Sequence, residues 1–149
     1  MKVKNIMDPS PDIIRTSDTF ERLIKILGEV KYHVVFVVDK EDKLVGIITE
    51  GDIIKVLIPK YVTVDESLIS IMDVNYFERK CRESKNLTIN EIMSKATITV
   101  SEKDPIIKAA ALMVVNKIQS LPVVRNEKVV GIVPRLTLIK HITKVITET

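Results

Sequence analysis

The sequence predicts an α/β (α+β) fold made of two β-α-β-β-α repeats that pack against each other with pseudo-two-fold symmetry. Three observations support this prediction. Short motifs recur at a nearly fixed offset, each copy has an amphipathic helix followed by two β-rich segments, and each copy ends in a second helix. With 149 residues, 46% of them hydrophobic, the chain is long and apolar enough to bury a core of the required size.

The repeat begins with an Ile-Met pair in each copy. Residues 3–7 (Val-Lys-Asn-Ile-Met) match residues 89–93 (Ile-Asn-Glu-Ile-Met), an offset of 86 residues (89 minus 3). Asp18 corresponds to Asp104 at the same offset. The two copies therefore open with equivalent segments.

An amphipathic helix follows each of these aspartates. Apolar residues lie on one helical face in both copies: Phe20, Leu23, Ile24 and Leu27 in the first, and Ile106, Ala109, Ala110 and Met113 in the second. Asp18 precedes Glu21 by three residues, which is the spacing of a capping box. Asp104 is followed by Pro105, a residue preferred at the first helical position. Helix capping is therefore enough to explain both aspartates.

Two β-rich segments come next in each copy. They span residues 34–38 and 44–49 in the first copy, and residues 121–124 and 129–133 in the second. Because they are continuous apolar runs, we expect sheets that are covered by helices on one face and by the other copy on the other face. A second helix closes each copy, and we expect neither copy to be stable alone.

We divide the chain into a first repeat at residues 1–58, an inserted segment at residues 59–86, and a second repeat at residues 87–149. The insertion carries apolar residues at helical spacing and then a charged stretch, which predicts one or two helices between the repeats. The apolar residues are Leu68, Ile69, Met72, Tyr76 and Phe77.

Composition argues against several classes of function. The net charge of +3 is too small to predict nucleic-acid binding by the overall field, although Lys80, Arg82 and Lys85 in the insertion keep it open as a less favoured hypothesis. No apolar run approaches the roughly 18 residues that span a bilayer, and residues 1–11 do not resemble a signal peptide. We therefore expect a cytoplasmic protein that does not enter the membrane.

The sequence also lacks the usual signatures of catalysis and metal binding. Cys81 is the one cysteine, and with His33 and His141 it makes no familiar metal-ligand spacing and no nucleophile-base pair. The four glycines are too scattered for a phosphate-binding loop. We expect that the chain is not an enzyme and needs no metal.

The repeated pattern resembles the cystathionine-β-synthase (CBS) domain, which occurs in tandem pairs. The resemblance rests on the two Ile-Met pairs, on residues 45–52 (Val-Gly-Ile-Ile-Thr-Glu-Gly-Asp) and on residues 118–124 (Ile-Gln-Ser-Leu-Pro-Val-Val). It covers nearly the whole chain except residues 59–86. It implies two clefts between the repeats, each suited to AMP, ADP, ATP or S-adenosylmethionine, and association of the pairs into homodimers.

The family's ligand motif is a glycine, two apolar residues, a Ser or Thr, two variable residues and an aspartate, and it is matched by residues 46–52. By this resemblance, Asp52 accepts the two ribose hydroxyls, while Thr49 and the amides of the following helix face a phosphate. An alternative stays open, because Thr49 and Asp52 also have the spacing of a capping box that needs no ligand.

The resemblance assigns further residues to the two clefts. Four are expected to supply the adenine slot from the second repeat: Asp104, Ala109, Ile118 and Gln119. In the second copy of the motif, Pro134 replaces the hydroxyl residue and Thr137 replaces the aspartate. We expect that cleft to be degenerate or repurposed, with Arg135 and His33 as candidate phosphate contacts.

Two functions remain in competition at this level. The first is a regulatory module that binds an adenosine-containing ligand between the repeats and signals to an effector protein. The second is a ligand-free dimeric scaffold that docks a partner through residues 59–86.

Overall fold

The computed structural model describes residues 1–96 and 98–148. The first repeat contains β1 (Ile13–Arg15), α1 (Phe20–Ile26), β2 (Val34–Val38), β3 (Leu44–Thr49) and α2 (Glu50–Val56). The inserted segment contains α3 (Lys60–Val64) and α4 (Tyr76–Ser84). The second repeat contains α5 (Ile89–Ile92), β4 (Ser94–Lys95), α6 (Ile106–Asn116), β5 (Ser120–Arg125), β6 (Lys128–Pro134) and α7 (Arg135–Thr147). Short 3-10 helices occupy Val3–Asn5, Leu27–Glu29 and Glu66–Ile71.

Each repeat has its own sheet, and the two sheets have related strand arrangements, which confirms the predicted fold. In the first sheet the strand order is β1-β2-β3-β4, with β1 parallel to β2 and the other neighbours antiparallel. In the second sheet the β5-β6 hairpin is flanked by two isolated bridges, from Val100 to Val123 on one side and from Asp8 to Ile132 on the other. The bridge at Val100 is parallel, as β1 is to β2, so it stands where the first strand of the repeat is expected.

The segments that carry the Ile-Met pairs are exchanged between the repeats. Strand β4 lies near the start of the second repeat in sequence, yet it pairs with β3 of the first repeat, with Lys95 opposite Gly46. Reciprocally, the backbone groups of Asp8 exchange two hydrogen bonds of 2.9 Å with Ile132 of the second repeat. Each sheet is therefore completed by a segment that belongs to the other repeat, which gives a physical reason to expect that neither half is stable alone.

The glycine of each ligand motif makes room for the exchanged methionine. A Cβ atom added at Gly46 would lie 2.9 Å from Met93 Cγ and 3.0 Å from the Ser94 carbonyl oxygen. A Cβ atom added at Gly131 would lie 2.8 Å from Met7 Sδ. Glycine thus permits the exchanged methionine to approach the backbone closely in both sheets. The methionine of each Ile-Met pair therefore packs against the glycine of a ligand motif.

The aspartates that precede the first helices do not cap them, so that part of the sequence interpretation is wrong. The residue that caps α1 is Thr19, whose hydroxyl accepts a hydrogen bond from a first-turn amide. The Asp18 carboxylate turns back and accepts a 2.9 Å bond from the Arg15 amide, and Asp104 accepts a 2.8 Å bond from the Ser101 amide in the same way. Both aspartates therefore brace the turn between the first strand and the helix.

Each repeat has its own apolar core, and a third cluster joins them. Leu23 is central in the first core and Leu121 in the second, and both are fully buried. The joining cluster is formed by Val34 and Phe36 of β2 together with Ile132 of β6. The two sheets therefore meet face to face along β2 and β6, and the ligand site predicted between the repeats must lie along this seam.

The inserted segment covers the first repeat only in part. Cys81 of α4 packs against the core of that repeat, whereas Val64 and Val74 are exposed.

Among residues 1–96 and 98–148, no helix has both the length and the apolar character that a membrane crossing requires.

Candidate ligand site

A cavity of about 400 Å³ opens at the seam, a size typical of small-molecule sites. Both repeats contribute to it. Its walls are formed by Tyr32, His33, Val34, Ile47, Thr49, Glu50, Gly51, Asp52, Ser94, Lys117, Ile118, Gln119 and Ser120. The residues that lead into β2 and into β5 both contribute to its walls, as expected for a site between two related halves.

Thr49 and Asp52 lie together on one wall, where β3 passes into α2. The Thr49 amide donates a 2.9 Å hydrogen bond to Asp52 Oδ2, and the Asp52 amide donates a 3.4 Å bond to Thr49 Oγ1. The capping box considered above is therefore formed. Since each carboxylate oxygen has two lone pairs, the cap leaves Asp52 with capacity to accept further hydrogen bonds.

A residue of the second repeat also contacts this carboxylate. Ser94 lies on the exchanged strand β4, and its hydroxyl donates a 3.2 Å hydrogen bond to Asp52 Oδ1. Sequence reasoning missed Ser94, because its place beside Asp52 depends on the exchange of segments between repeats. Asp52 is thus anchored by both halves of the molecule.

Two sharp backbone turns bring polar side chains to the cavity. His33 and Lys117 both adopt left-handed backbone conformations, with φ of 62° and 54°, shortly before β2 and β5. His33 Nδ1 lies 3.4 Å from Glu50 Oε1. Such conformations are uncommon for residues other than glycine, and they mark local turns that the surrounding fold must stabilise.

The structure brings together only part of the predicted site. Thr49, Asp52, Ile118, Gln119 and His33 line the cavity. The other three predicted residues, Asp104, Ala109 and Arg135, lie elsewhere.

Ala109 is fully buried in the core of the second repeat, so its side chain faces away from the cavity. The Asp104 carboxylate is engaged by the Ser101 amide, which lowers the pKa of Asp104, and by the Lys108 ammonium group at 3.2 Å. These residues therefore stabilise the second repeat around its first helix.

Arg135 lines a neighbouring groove of about 740 Å³ between α6 and α7, which shares Lys117, Ile118 and Gln119 with the seam cavity. His33 instead faces Glu50 in the first cavity. Arg135 and His33 therefore line different cavities, and a joint contact with a phosphate stays a prediction.

The position in the second sheet that corresponds to Ser94 has a different chemical character. At the repeat offset, Ser94 corresponds to Asp8, whose backbone occupies the same place in the second sheet. Asp8 Oδ2 accepts a 2.6 Å hydrogen bond from the Tyr32 hydroxyl and lies 3.1 Å from Lys31 Nζ. Side chains of the protein itself therefore bind the acidic group at that position.

The hydrogen bond between Asp8 and Tyr32 shifts the pKa of both residues. The bond to Asp8 raises the pKa of Tyr32 to about 12, because the neutral phenol is the form that donates to the carboxylate. The same bond, with help from Lys31, lowers the pKa of Asp8. The Asp8–Lys31–Tyr32 cluster is thus held as a carboxylate, an ammonium and a neutral phenol at neutral pH.

Metal-binding chemistry has no support in the part of the chain that the structure describes. It contains no group of three or more His, Cys, Asp or Glu side chains arranged to hold an ion.

Comparison with known proteins agrees with this architecture. The family model described as CBS domain matches the chain twice, at residues 3–59 and 89–144. An uncharacterized protein of Methanocaldococcus jannaschii is 29% identical, over 94% of this chain and 90% of that protein.

Two solved structures are similar over 97% of both chains. The CBS domain pair of protein MJ0100, in complex with 5′-methylthioadenosine and S-adenosyl-L-methionine, is 27% identical with a TM-score of 0.69. The structure of CBSX2 in complex with AMP is 20% identical with a TM-score of 0.70, a likeness that shows the fold alone. Two matches to one family model, both on the repeats defined by the exchanged segments, establish that the chain belongs to the CBS domain family and carries the domain twice.

Proposed function

We propose that this CBS pair is a regulatory module that binds an adenosine-containing ligand in the seam cavity and conveys its presence to a partner. The observation that carries the proposal is the Asp52 carboxylate, which faces a cavity between the repeats and is contacted by Ser94 of the other repeat. The ligands AMP, ADP, ATP and S-adenosylmethionine all share the ribose that such a carboxylate recognises.

The walls supply the other contacts that a nucleoside needs. Val34, Ile47 and Ile118 offer an apolar slot for adenine, and the Gln119 side chain adds a polar group beside it. The relative that holds methylthioadenosine and S-adenosylmethionine supports this choice of ligand class.

The location of the cavity suggests how binding would be communicated. A ligand that contacts both repeats favours the arrangement in which they are closed around it, and a partner that distinguishes this arrangement responds to the ligand. Regulation of this kind requires no catalytic group in the module.

Thermal unfolding with added nucleosides and nucleotides tests the proposal. A ligand at a hundredfold excess over its dissociation constant should add about 2.7 kcal/mol to the free energy of unfolding. The variant Asp52→Ala should weaken binding roughly ten- to hundredfold, since a hydrogen bond to a charged group contributes about 1.5–3 kcal/mol.

Thr137→Ala is the matched control, because Thr137 occupies the position of Asp52 in the second repeat and should leave affinity unchanged. Equal affinities of wild type and a folded Asp52→Ala would reject Asp52 as the ribose anchor. If no adenosine compound shifts the unfolding temperature, the scaffold function described next is supported instead.

A homodimeric scaffold is the second candidate, and a specific surface favours it. The groove between α6 and α7 is lined mainly by apolar side chains, and Ile107, Val114 and Ile139 are more than half exposed around it. Ile24 of α1 and Ile54 of α2 are also exposed at the equivalent helices of the first repeat. Two copies joined by a two-fold axis would cover these apolar faces, and replacing Ile139 with Glu should then yield monomers in sedimentation analysis.

A further inference from the structure

The permanent charges of the seam cavity are unbalanced in favour of acid. Glu50 and Asp52 contribute two carboxylates from the first turn of α2, and Lys117 contributes one ammonium group from the segment before β5. The nearest side chain to Glu50 with basic character is His33, whose Nδ1 lies 3.4 Å from the carboxylate. Two carboxylates thus stand against one ammonium group among the residues that line the cavity.

The amides that would receive a phosphate at this wall are already engaged in part. The Asp52 amide donates to Thr49 Oγ1, and the Thr49 amide donates to the Asp52 carboxylate. Helix α2 has only seven residues, so its dipole adds little to this end. The Asp52 carboxylate itself occupies the place at the helix start where an anion is stabilised.

A phosphate chain bound beside Thr49 would thus meet two carboxylates at close range. Solvent weakens this repulsion, because the Glu50 side chain is 65% exposed, but like charges a few ångströms apart still repel, and a triphosphate multiplies the repulsion. A neutral thioether or a positive sulfonium or amino group suffers no such repulsion, and a positive group is attracted by Glu50. The ribose contact with Asp52 is the same for all these ligands.

From this charge distribution we infer that the cavity selects adenosine derivatives whose 5′ substituent is neutral or positively charged, and rejects nucleoside polyphosphates. Glu50 is the specificity-determining residue, while Asp52 and the apolar walls recognise the shared nucleoside. The inference rests on the proposed function, because it concerns the ligand of the same cavity.

Calorimetric titration with a charge series tests the inference. The series consists of adenosine, 5′-methylthioadenosine, S-adenosylmethionine, AMP and ATP, measured at equal low ionic strength without divalent cations. We expect S-adenosylmethionine and the neutral nucleosides to bind at least about tenfold more tightly than ATP, and the difference to shrink as salt is raised.

Substitution of Glu50 provides the decisive comparison. Glu50→Gln should narrow the preference for S-adenosylmethionine over ATP, and Glu50→Lys should reverse that preference. Glu78→Gln is the matched control, since Glu78 lies in the first turn of α4 outside the cavity, and it should leave every affinity unchanged. Unfolding curves without ligand show whether each variant keeps its fold.

The outcomes separate this inference from the function on which it rests. Binding of all five compounds with similar affinity, or tighter binding of ATP, would overturn the charge selection and leave the adenosine function intact. An unchanged order of affinities in Glu50→Lys would also overturn it. Absence of binding by any compound to the folded wild-type protein would overturn both.

Discussion

The two clefts have the same backbone plan and opposite chemistry. In the first, Ser94 donates to Asp52, and an open cavity lies in front of the carboxylate. In the second, Asp8 stands at the position of Ser94 and is bound by Tyr32 and Lys31 of the same chain. A repeat can therefore keep its fold while one carboxylate faces an open cavity and the other is bound by side chains of the same chain.

The first prediction asks whether the two repeats unfold as one unit, and it carries the largest expected effect. Leu23→Ala and Leu121→Ala each remove a fully buried side chain from one core, and each should cost about 2–5 kcal/mol. Because the exchanged segments tie the sheets together, both variants should show a single unfolding transition, measured by denaturant titration with circular dichroism.

A contrary result is easy to recognise. Two separate transitions in either variant, with one repeat melting before the other, would mean that the exchanged segments do not couple the halves.

The second prediction tests the contact between glycine and methionine in each sheet. Gly46→Val and Gly131→Val should each cost about 1–3 kcal/mol, since the new side chain would overlap the exchanged methionine. Gly28→Ala is the control, because nothing lies within 4 Å of a Cβ atom added there. If both valine variants proved as stable as the control in thermal unfolding, the exchanged segments would not pack as described.

The third prediction concerns the pH dependence of the Asp8–Lys31–Tyr32 cluster. The pKa of Tyr32 is raised to about 12 in the folded protein, so its contribution to stability is complete below the unfolded value of about 10. That contribution should be lost as the pH rises from about 10 to about 12. Tyr32→Phe should cost about 1 kcal/mol at neutral pH and should remove this alkaline loss in denaturant titrations.

Asp8 gives the acidic counterpart of the same test. Its pKa is lowered in the folded protein, so its contribution is present above the unfolded value near 4 and is lost as the pH falls through the lower folded value. Asp8→Asn should remove this acidic loss and should also bring the phenolate titration of Tyr32 to lower pH. Titration of Tyr32 near its ordinary value in the wild-type protein would contradict the hydrogen bond to Asp8.

Much of the fold was accessible from the sequence, because it depends on local patterns. The apolar runs at β2 and β3, the helical spacing in α6 and the offset between the two Ile-Met pairs all indicate the same repeated unit. The capping of α1 was misassigned, since Asp18 and the adjacent Thr19 are both good capping residues and only the path of the backbone decides between them.

The site was only partly accessible for a different reason. Thr49 and Asp52 are three residues apart, so their proximity follows from local geometry. Ser94 and the Asp8–Lys31–Tyr32 cluster depend on which repeat each linking segment joins, and a sequence pattern does not show that choice. Ala109 was misplaced because a residue on an apolar helix face points into the nearest core, which here lies away from the cavity.

The crossing of the two linking segments has a consequence for any attempt to divide the molecule. A cut within residues 59–86 would leave an N-terminal piece that carries Asp8, which pairs with the sheet of the second repeat. The C-terminal piece would carry β4, which pairs with the sheet of the first repeat. Each piece alone would expose an unpaired sheet edge, and each would hold what the other lacks. We therefore expect each piece to be unfolded alone and the two pieces to fold together when mixed, a reassembly that also forms the seam cavity again.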